Sequence, residues 1–119
     1  MYKRIILKLS GETLAPDASK PDAPRGVFDA QRVDAAAEMI LKLQARGIQV
    51  GVVIGGGNIW RGRFTKEMNG ANADQMGMLA TIINALCVQD AITRKGGRAV
   101  VFSAQEMNRF TRLYTRSAA

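Results

Sequence analysis

Apolar residues fall into short runs separated by glycine, and the runs alternate between a strand-like and a helix-like period. Residues 3–9, KRIILKL, predict a strand with Lys8 near its C-terminal end and Ser10-Gly11-Glu12 directly after it. Residues 15–27, APDASKPDAPRGV, hold all three prolines and almost nothing apolar, which predicts a surface loop. Asp29 is the predicted N-cap of a helix in which Val33, Ala36, Ala37, Ile40 and Leu43 share one face. Gly47 is its predicted stop, with Lys42 and Arg46 placed to favour the helix dipole. Residues 48–54, IQVGVVI, are nearly continuously apolar and predict a parallel strand buried on both faces. Three glycines follow, and 63–71 reads as loop. Residues 74–94 predict a long helix carrying Met76, Leu79, Ile83 and Leu86, with further apolar positions around Cys87 and Ala91, closed by Lys95-Gly96-Gly97. Residues 98–103, RAVVFS, predict a third strand, and Gln105 to Arg116 is weakly amphipathic.

Strand, helix, strand, helix, strand is the alternation that builds a parallel α/β sheet with right-handed crossovers. Three strands and two firm helices make a small sheet whose edges need covering. The pattern reads as the first half of a larger fold.

Composition adds limits. The 119 residues, 47% hydrophobic and 23% charged, are ordinary for a globular domain or part of one. One cysteine and no histidine exclude an internal disulfide and a zinc framework, and fit a reducing, cytoplasmic setting. Met1-Tyr2-Lys3-Arg4 leads into a strand and not into a signal peptide. No unbroken apolar run approaches the roughly 20 residues that span a bilayer, so no membrane partner is expected. The net charge of +7 raises nucleic acid as a partner. Six basic residues against Glu106 alone lie between Arg94 and Ala119, and no RNP-like, zinc-finger or helix-turn-helix pattern accompanies them. Anionic small molecules suit basic residues beside glycine loops better than a specific nucleic acid does.

Three constellations carry candidate chemistry. Lys8-Leu9-Ser10-Gly11 closes the first strand, and open α/β folds bind ligands beyond the carboxyl ends of strands. There Lys8 can act as a point charge on a phosphate while Ser10 and Gly11 offer backbone N–H groups; the alternative is a surface lysine before a turn. Gly55-Gly56-Gly57-Asn58 with Arg61 is the second. Glycines let a ligand reach the main chain, a following helix start would aim N–H groups at an anion, and Arg61 could clamp phosphate. It is neither a Walker A sequence nor a spaced G-x-G-x-x-G, and the alternative is a tight turn with a solvated arginine. The third is Asp74, either a cap for the long helix or an acceptor for ribose hydroxyls. Gly77 costs about 1 kcal/mol against alanine inside a helix, which a ligand or a second backbone passing close would explain.

Together KRIILKLSGE, VVIGGGNIWRG, ADQMGMLATIINALCVQDAI and SAQEMN resemble the bacterial uridylate kinases of the amino-acid kinase superfamily. The resemblance runs over nearly all of the chain and thins after Asn108. It implies a parallel-sheet αβα sandwich of amino-acid kinase type, of which residues 1–119 are a single partial domain, the N-terminal, UMP- and phosphate-side half. It also implies transfer of the γ-phosphoryl of ATP to UMP, with Mg²⁺, in pyrimidine nucleotide synthesis. Lys8 and Arg61 are the implied catalytic residues. Lys8, Leu9, Ser10, Gly11, Gly57 and Arg61 line the ATP phosphates, and Gly55, Gly56 and Asp74 hold UMP; no metal ligand is assigned. The family is cytoplasmic, assembles as a homohexamer and responds to GTP and UTP. Residues 15–28 depart from the family pattern, so the GTP response is not carried over. Family members run to about twice this length, so the chain is expected to be inactive alone; the alternative is a non-catalytic nucleotide-binding half-domain or a partner of a full-length kinase subunit.

Overall fold

The computed structural model describes residues 3–17, 19–20, 26–60, 68–104, 107 and 111–115. Strand β1 (Arg4–Leu9) leads into a short 3-10 turn (Gly11–Leu14) and then helix α1 (Ala30–Ala45). Strand β2 (Gln49–Ile54) and helix α2 (Gly70–Arg94) follow, then β3 (Phe102–Ser103) and β4 (Arg112–Leu113). β1 and β2 pair in parallel, Lys8 opposite Val53 and Leu9 opposite Ile54, and Gly55 N–H extends the ladder to Leu9 O at 2.9 Å.

Local signals set α1. Asp29 caps it by accepting from the N–H groups of Gln31 at 2.9 Å and Arg32 at 3.3 Å, which satisfies two of the donors a helix start leaves over. Gly47 follows its C-cap at φ +79°, the left-handed conformation that glycine alone enters without cost. Both predicted ends therefore stand.

The core joins Leu9 and Leu14 to Val33, Ala36, Ala37 and Ile40 of α1 and Val88, Ala91 and Ile92 of α2. Leu7, Val50, Val52 and Ile54 pack against it, so α1 and α2 lie on the same face of the β1–β2 pair. The parallel pairing of β1 with β2 through α1 makes one crossover unit, and α2 packs beside α1. The expectation of a second strand buried on both faces is corrected: β2 alternates half-buried and exposed, with Val53 55% exposed and Ile6 of β1 79% exposed. Among the described residues nothing covers that second face. The parallel α/β class stands, with helical cover on one side.

The predicted third strand is also shorter. Only Phe102–Ser103 is strand, and it pairs in parallel with β4, not with β2. A cleft of about 510 Å³ separates β2 from residues 98–102, between Val50 and Val52 on one side and Ala99 and Val101 on the other. The Gln89 side chain donates to Ala99 O at 3.1 Å, occupying a carbonyl that a ladder would have used.

Helix α2 departs from its predicted facing. Met76, Leu79 and Ile83 are exposed, and the buried positions are Ala80, Ile82, Asn84, Val88, Ala91 and Ile92. The helix lies close against α1 and the turn after β2, where small side chains permit approach. By length and composition alone α2 is long and apolar enough to cross a membrane, although the sequence has no unbroken apolar run of that size. Its buried side is part of the core already described.

Ile6 and Val53 leave exposed apolar surface on the open face of the sheet. The chain is expected to self-associate with rising concentration by light scattering, and Ile6→Lys to reduce this. Ile6 is exposed, so stability should move by no more than about 0.5 kcal/mol. A parent chain that stays monomeric through a cooperative melt would contradict the expectation.

Candidate functional site

The carboxyl ends of β1 and β2 lie side by side, which brings the first two constellations together. Ser10 precedes the 3-10 turn with its hydroxyl 3.1 Å from that of Thr13, and Thr13 N–H donates to Ser10 O at 3.1 Å. Gly55 faces this turn: a Cβ placed on it would lie 3.5 Å from Gly11 N and 3.8 Å from Ser10 Cα. Lys8 is exposed on the open side of the sheet and has no ion-pair partner among the described residues.

The three glycines do different work. A Cβ on Gly56 would stand 2.9 Å from Ala80 Cβ, 3.2 Å from Thr81 N and 3.3 Å from Gly77 O. Its bare side is filled by α2, so no ligand can reach it there. Gly55 meets only ordinary contacts, on the side of Ser10 and Gly11. Gly11 is itself confined, since a Cβ there would collide with Asn58 Oδ1 and lie 2.8 Å from Gly57 N. After Gly57 the chain does not start a helix: Gly56 O accepts from both Ile59 N–H and Trp60 N–H at 3.0 Å, closing a turn. As far as Trp60 the chain therefore makes a turn where a helix start was expected after the glycines, and Arg61 lies outside the described residues.

Trp60 anchors the end of this turn to α2. Its Nε1–H donates to Ala73 O at 3.0 Å, and its ring lies 3.7 Å from where a Gly77 Cβ would be. The cap of α2 is Asn69, whose side chain accepts from Ala71 N–H at 2.8 Å. Asp74 is therefore no cap. It is exposed in the second turn of α2, next to the carbonyl that receives Trp60, at the end of the helix nearest the glycine turn. The close backbone contact invoked for Gly77 falls at Gly56; an alanine at 77 would meet Trp60 only at ordinary distance.

Asn84, which the sequence reading did not single out, and Asn58, named there only as the end of the glycine run, hold this region. Asn84 is fully buried, donating to Gly55 O and to Asn58 Oδ1, both at 2.7 Å. Asn58 donates to Val27 O at 3.1 Å and back to Asn84 Oδ1 at 3.2 Å. The signal available in the sequence is a lone asparagine, a poor helix former, inside an apolar helical run. Cys87 is no candidate nucleophile. Burial pushes its thiol up, with Asp90 adding to this against a smaller opposing effect of Arg94, so the reactive thiolate is disfavoured.

Among the described residues no group of three or more Cys, Asp or Glu is placed to hold a metal ion. The donor set present does not itself make a Mg²⁺ site. Among the described residues the site offers the exposed Lys8 ammonium and two turns of closely packed backbone, with the exposed Asp74 carboxylate on α2 beside the Ala73 carbonyl that holds Trp60.

Comparison with known proteins adds four findings. The family model described as Amino acid kinase family matches residues 3–118. A uridylate kinase of Mycoplasma capricolum subsp. capricolum is 44% identical over 97 residues, covering 80% of this chain and 38% of the relative. The crystal structure of UMP kinase from Bacillus anthracis superposes with TM-score 0.85 at 35% identity, over 98% of this chain and 47% of that one. UMP kinase from Ureaplasma parvum gives TM-score 0.85 at 33% identity, over 99% and 48%. The chain thus spans about half the length of these solved structures, and less of the curated relative.

Proposed function

The chain belongs to the amino acid kinase family, and on that premise we propose that it serves uridylate kinase chemistry: transfer of the γ-phosphoryl of ATP to UMP, giving UDP and ADP, in cytoplasmic pyrimidine nucleotide synthesis. Residues 1–119 form the N-terminal half of that kinase domain, the half facing UMP and the transferred phosphate. The observation that carries the reading is the meeting of Lys8-Leu9-Ser10-Gly11 with Gly55–Asn58 at the carboxyl edge of two parallel strands, where α/β folds take ligands.

In the reaction a phosphate oxygen of UMP attacks the γ-phosphorus, and the bond to the β,γ-bridging oxygen breaks to leave ADP. Such transfers are catalysed by positioning and charge stabilisation, with no covalent intermediate needed. Lys8 neutralises charge on the phosphoryl group in flight. The backbone of Leu9, Ser10, Gly11 and Gly57 lines the ATP phosphates. Gly55 and Gly56 border UMP, Gly56 through its peptide groups because α2 covers its Cα. Asp74 accepts from the ribose hydroxyls, and Arg61 clamps phosphate. Mg²⁺ accompanies ATP as its complex, and no step here runs through it. The exposed Met76, Leu79 and Ile83 of α2 support a homo-oligomer, a hexamer by the resemblance.

Titration with UMP and with Mg·ATP tests the reading, beside a coupled assay for UDP. Binding of both nucleotides is expected. Turnover by the isolated chain is expected to be low or nil, because one sheet face is open among the described residues and the solved relatives are about twice as long. Absence of binding at millimolar nucleotide would overturn the assignment. Robust turnover by these 119 residues alone would overturn the half-site claim.

A further inference from the structure

Asn84 is the one polar side chain with no exposure at all among the described residues, and it sits midway along α2 among the buried Ala80, Val88 and Ala91. Its two amide hydrogens go to Gly55 O and Asn58 Oδ1, both at 2.7 Å. Its Oδ1 accepts from Asn58 Nδ2 at 3.2 Å, and the other Asn58 amide hydrogen goes to Val27 O at 3.1 Å. The two side chains form a reciprocal amide pair in which all four N–H donors are used. Asn58 Oδ1 is also the atom a Gly11 Cβ would strike. One pair of side chains therefore fixes the end of β1, the end of β2, the entry to α1 and the middle of α2 relative to one another.

Stability alone does not call for an amide here. An apolar residue of similar volume fills a helix interior without having to recover the cost of desolvating polar groups. What an apolar residue cannot do is specify where a turn made largely of glycine comes to rest. A fully satisfied buried network does that. We propose that Asn84 is a positioning residue: with Asn58 it forms an amide clip that sets the glycine turn against Gly11, and so sets nucleotide affinity without touching the nucleotide. The inference rests on the nucleotide-site reading above for its functional half, and on geometry alone for its structural half.

The test uses the whole chain. Asn84→Leu fills the volume but leaves Gly55 O and the Asn58 amide without partners. Asn84→Asp keeps shape while setting a carboxylate against two oxygens. Gln89→Leu is the control, removing an amide of the same helix that serves Ala99 O instead. Three readouts are taken: hydrogen exchange at the Ile59 and Trp60 amides bonded to Gly56 O, emission of the single tryptophan Trp60, and titration with UMP and Mg·ATP. Both Asn84 variants are expected to exchange faster at 59 and 60, to shift Trp60 emission to the red, and to bind nucleotide about tenfold more weakly, the scale of a lost buried hydrogen-bond pair. Gln89→Leu should move none of the three. Where Asn84→Leu does not fold, Asn58→Ala removes the other half of the clip and gives the same readings; where it folds, the double variant should add little to either single one. Folded Asn84 variants with parental exchange and emission would overturn the clip whatever the parent binds. A parent that binds neither nucleotide, with exchange still altered by Asn84→Leu, would overturn the functional reading and leave the clip standing. Altered exchange with parental affinity would overturn the link between them.

Discussion

Gly56→Ala is expected to lower the melting temperature by about 5–10 °C and to weaken nucleotide binding, whereas Gly55→Ala should leave the melting temperature nearly unchanged. The two neighbours differ in what occupies the space a methyl group would take. At Gly56 the methyl would stand 2.9 Å from Ala80 Cβ and within 3.3 Å of Thr81 N and Gly77 O. Two of those three atoms are helix backbone, which cannot rotate away. Relief requires the turn to lift from α2, and overpacking of this kind costs about 1–3 kcal/mol. A domain of this size loses roughly 4 °C per kcal/mol. Lifting the turn would also disturb the bond from Asn84 to Gly55 O and the docking of Trp60 on Ala73 O, so affinity should fall with stability. At Gly55 the nearest atom is Gly11 N at 3.5 Å, an ordinary contact. A methyl there projects into the gap between the two strand ends, where the proposal sets the phosphates. Affinity should then fall while stability holds. Calorimetry with nucleotide titration on both variants separates packing from ligand approach. Equal effects on melting at the two positions would refute the distinction.

The same contacts explain how far the sequence could be read. Helix α1 was legible because its determinants are local: Asp29 bonds within three residues of itself, and Gly47 answers a backbone requirement. The start of α2 was not. Asn69 and Asp74 are both capping types, and the Trp60 ring docked on Ala73 O belongs to a turn already held against Gly56, information no local window contains. Pattern reading also assumes that large apolar residues face inward. In α2 the close approach to α1 and the glycine turn reserves the inner face for Ala80, Asn84, Val88 and Ala91, and turns Met76, Leu79 and Ile83 outward. Lys8, Ser10 and the glycines were legible as candidates because strand ends are easy to locate. That Gly56 serves a helix and Gly55 an open gap was not, since the two residues are chemically identical and differ only in what lies opposite.

Lys8→Ala is expected to leave the melting temperature unchanged and to cost about 100-fold or more in phosphoryl transfer, the range seen when a single charge-stabilising donor is removed. Lys8 alternates with Leu7 and Leu9, so its side chain leaves the sheet on the face opposite α1 and α2, where it is exposed and buries no partner. A surface position of this kind contributes little to folding. Its value is electrostatic and depends on where it stands, one residue before the strand end and beside Gly55 through the register of Leu9 with Ile54. The reacting phosphates must then approach from the open side of the sheet, because the helix side of the turn is closed by α2. Lys8→Arg separates two contributions. It keeps the positive charge and should retain most affinity for Mg·ATP, but a broad planar guanidinium cannot follow the phosphoryl group as a compact ammonium does, so turnover should remain low. The measurement is turnover in the form of the protein that supports it, alone or combined with a complementary C-terminal half, together with Mg·ATP affinity of the chain itself at two salt concentrations. Lys8→Ala should weaken Mg·ATP about tenfold at low salt and less at high salt, as expected for a screened point charge, with UMP affinity less affected. Unchanged Mg·ATP affinity at low salt would place Lys8 outside the site and return it to the role of a solvated strand residue.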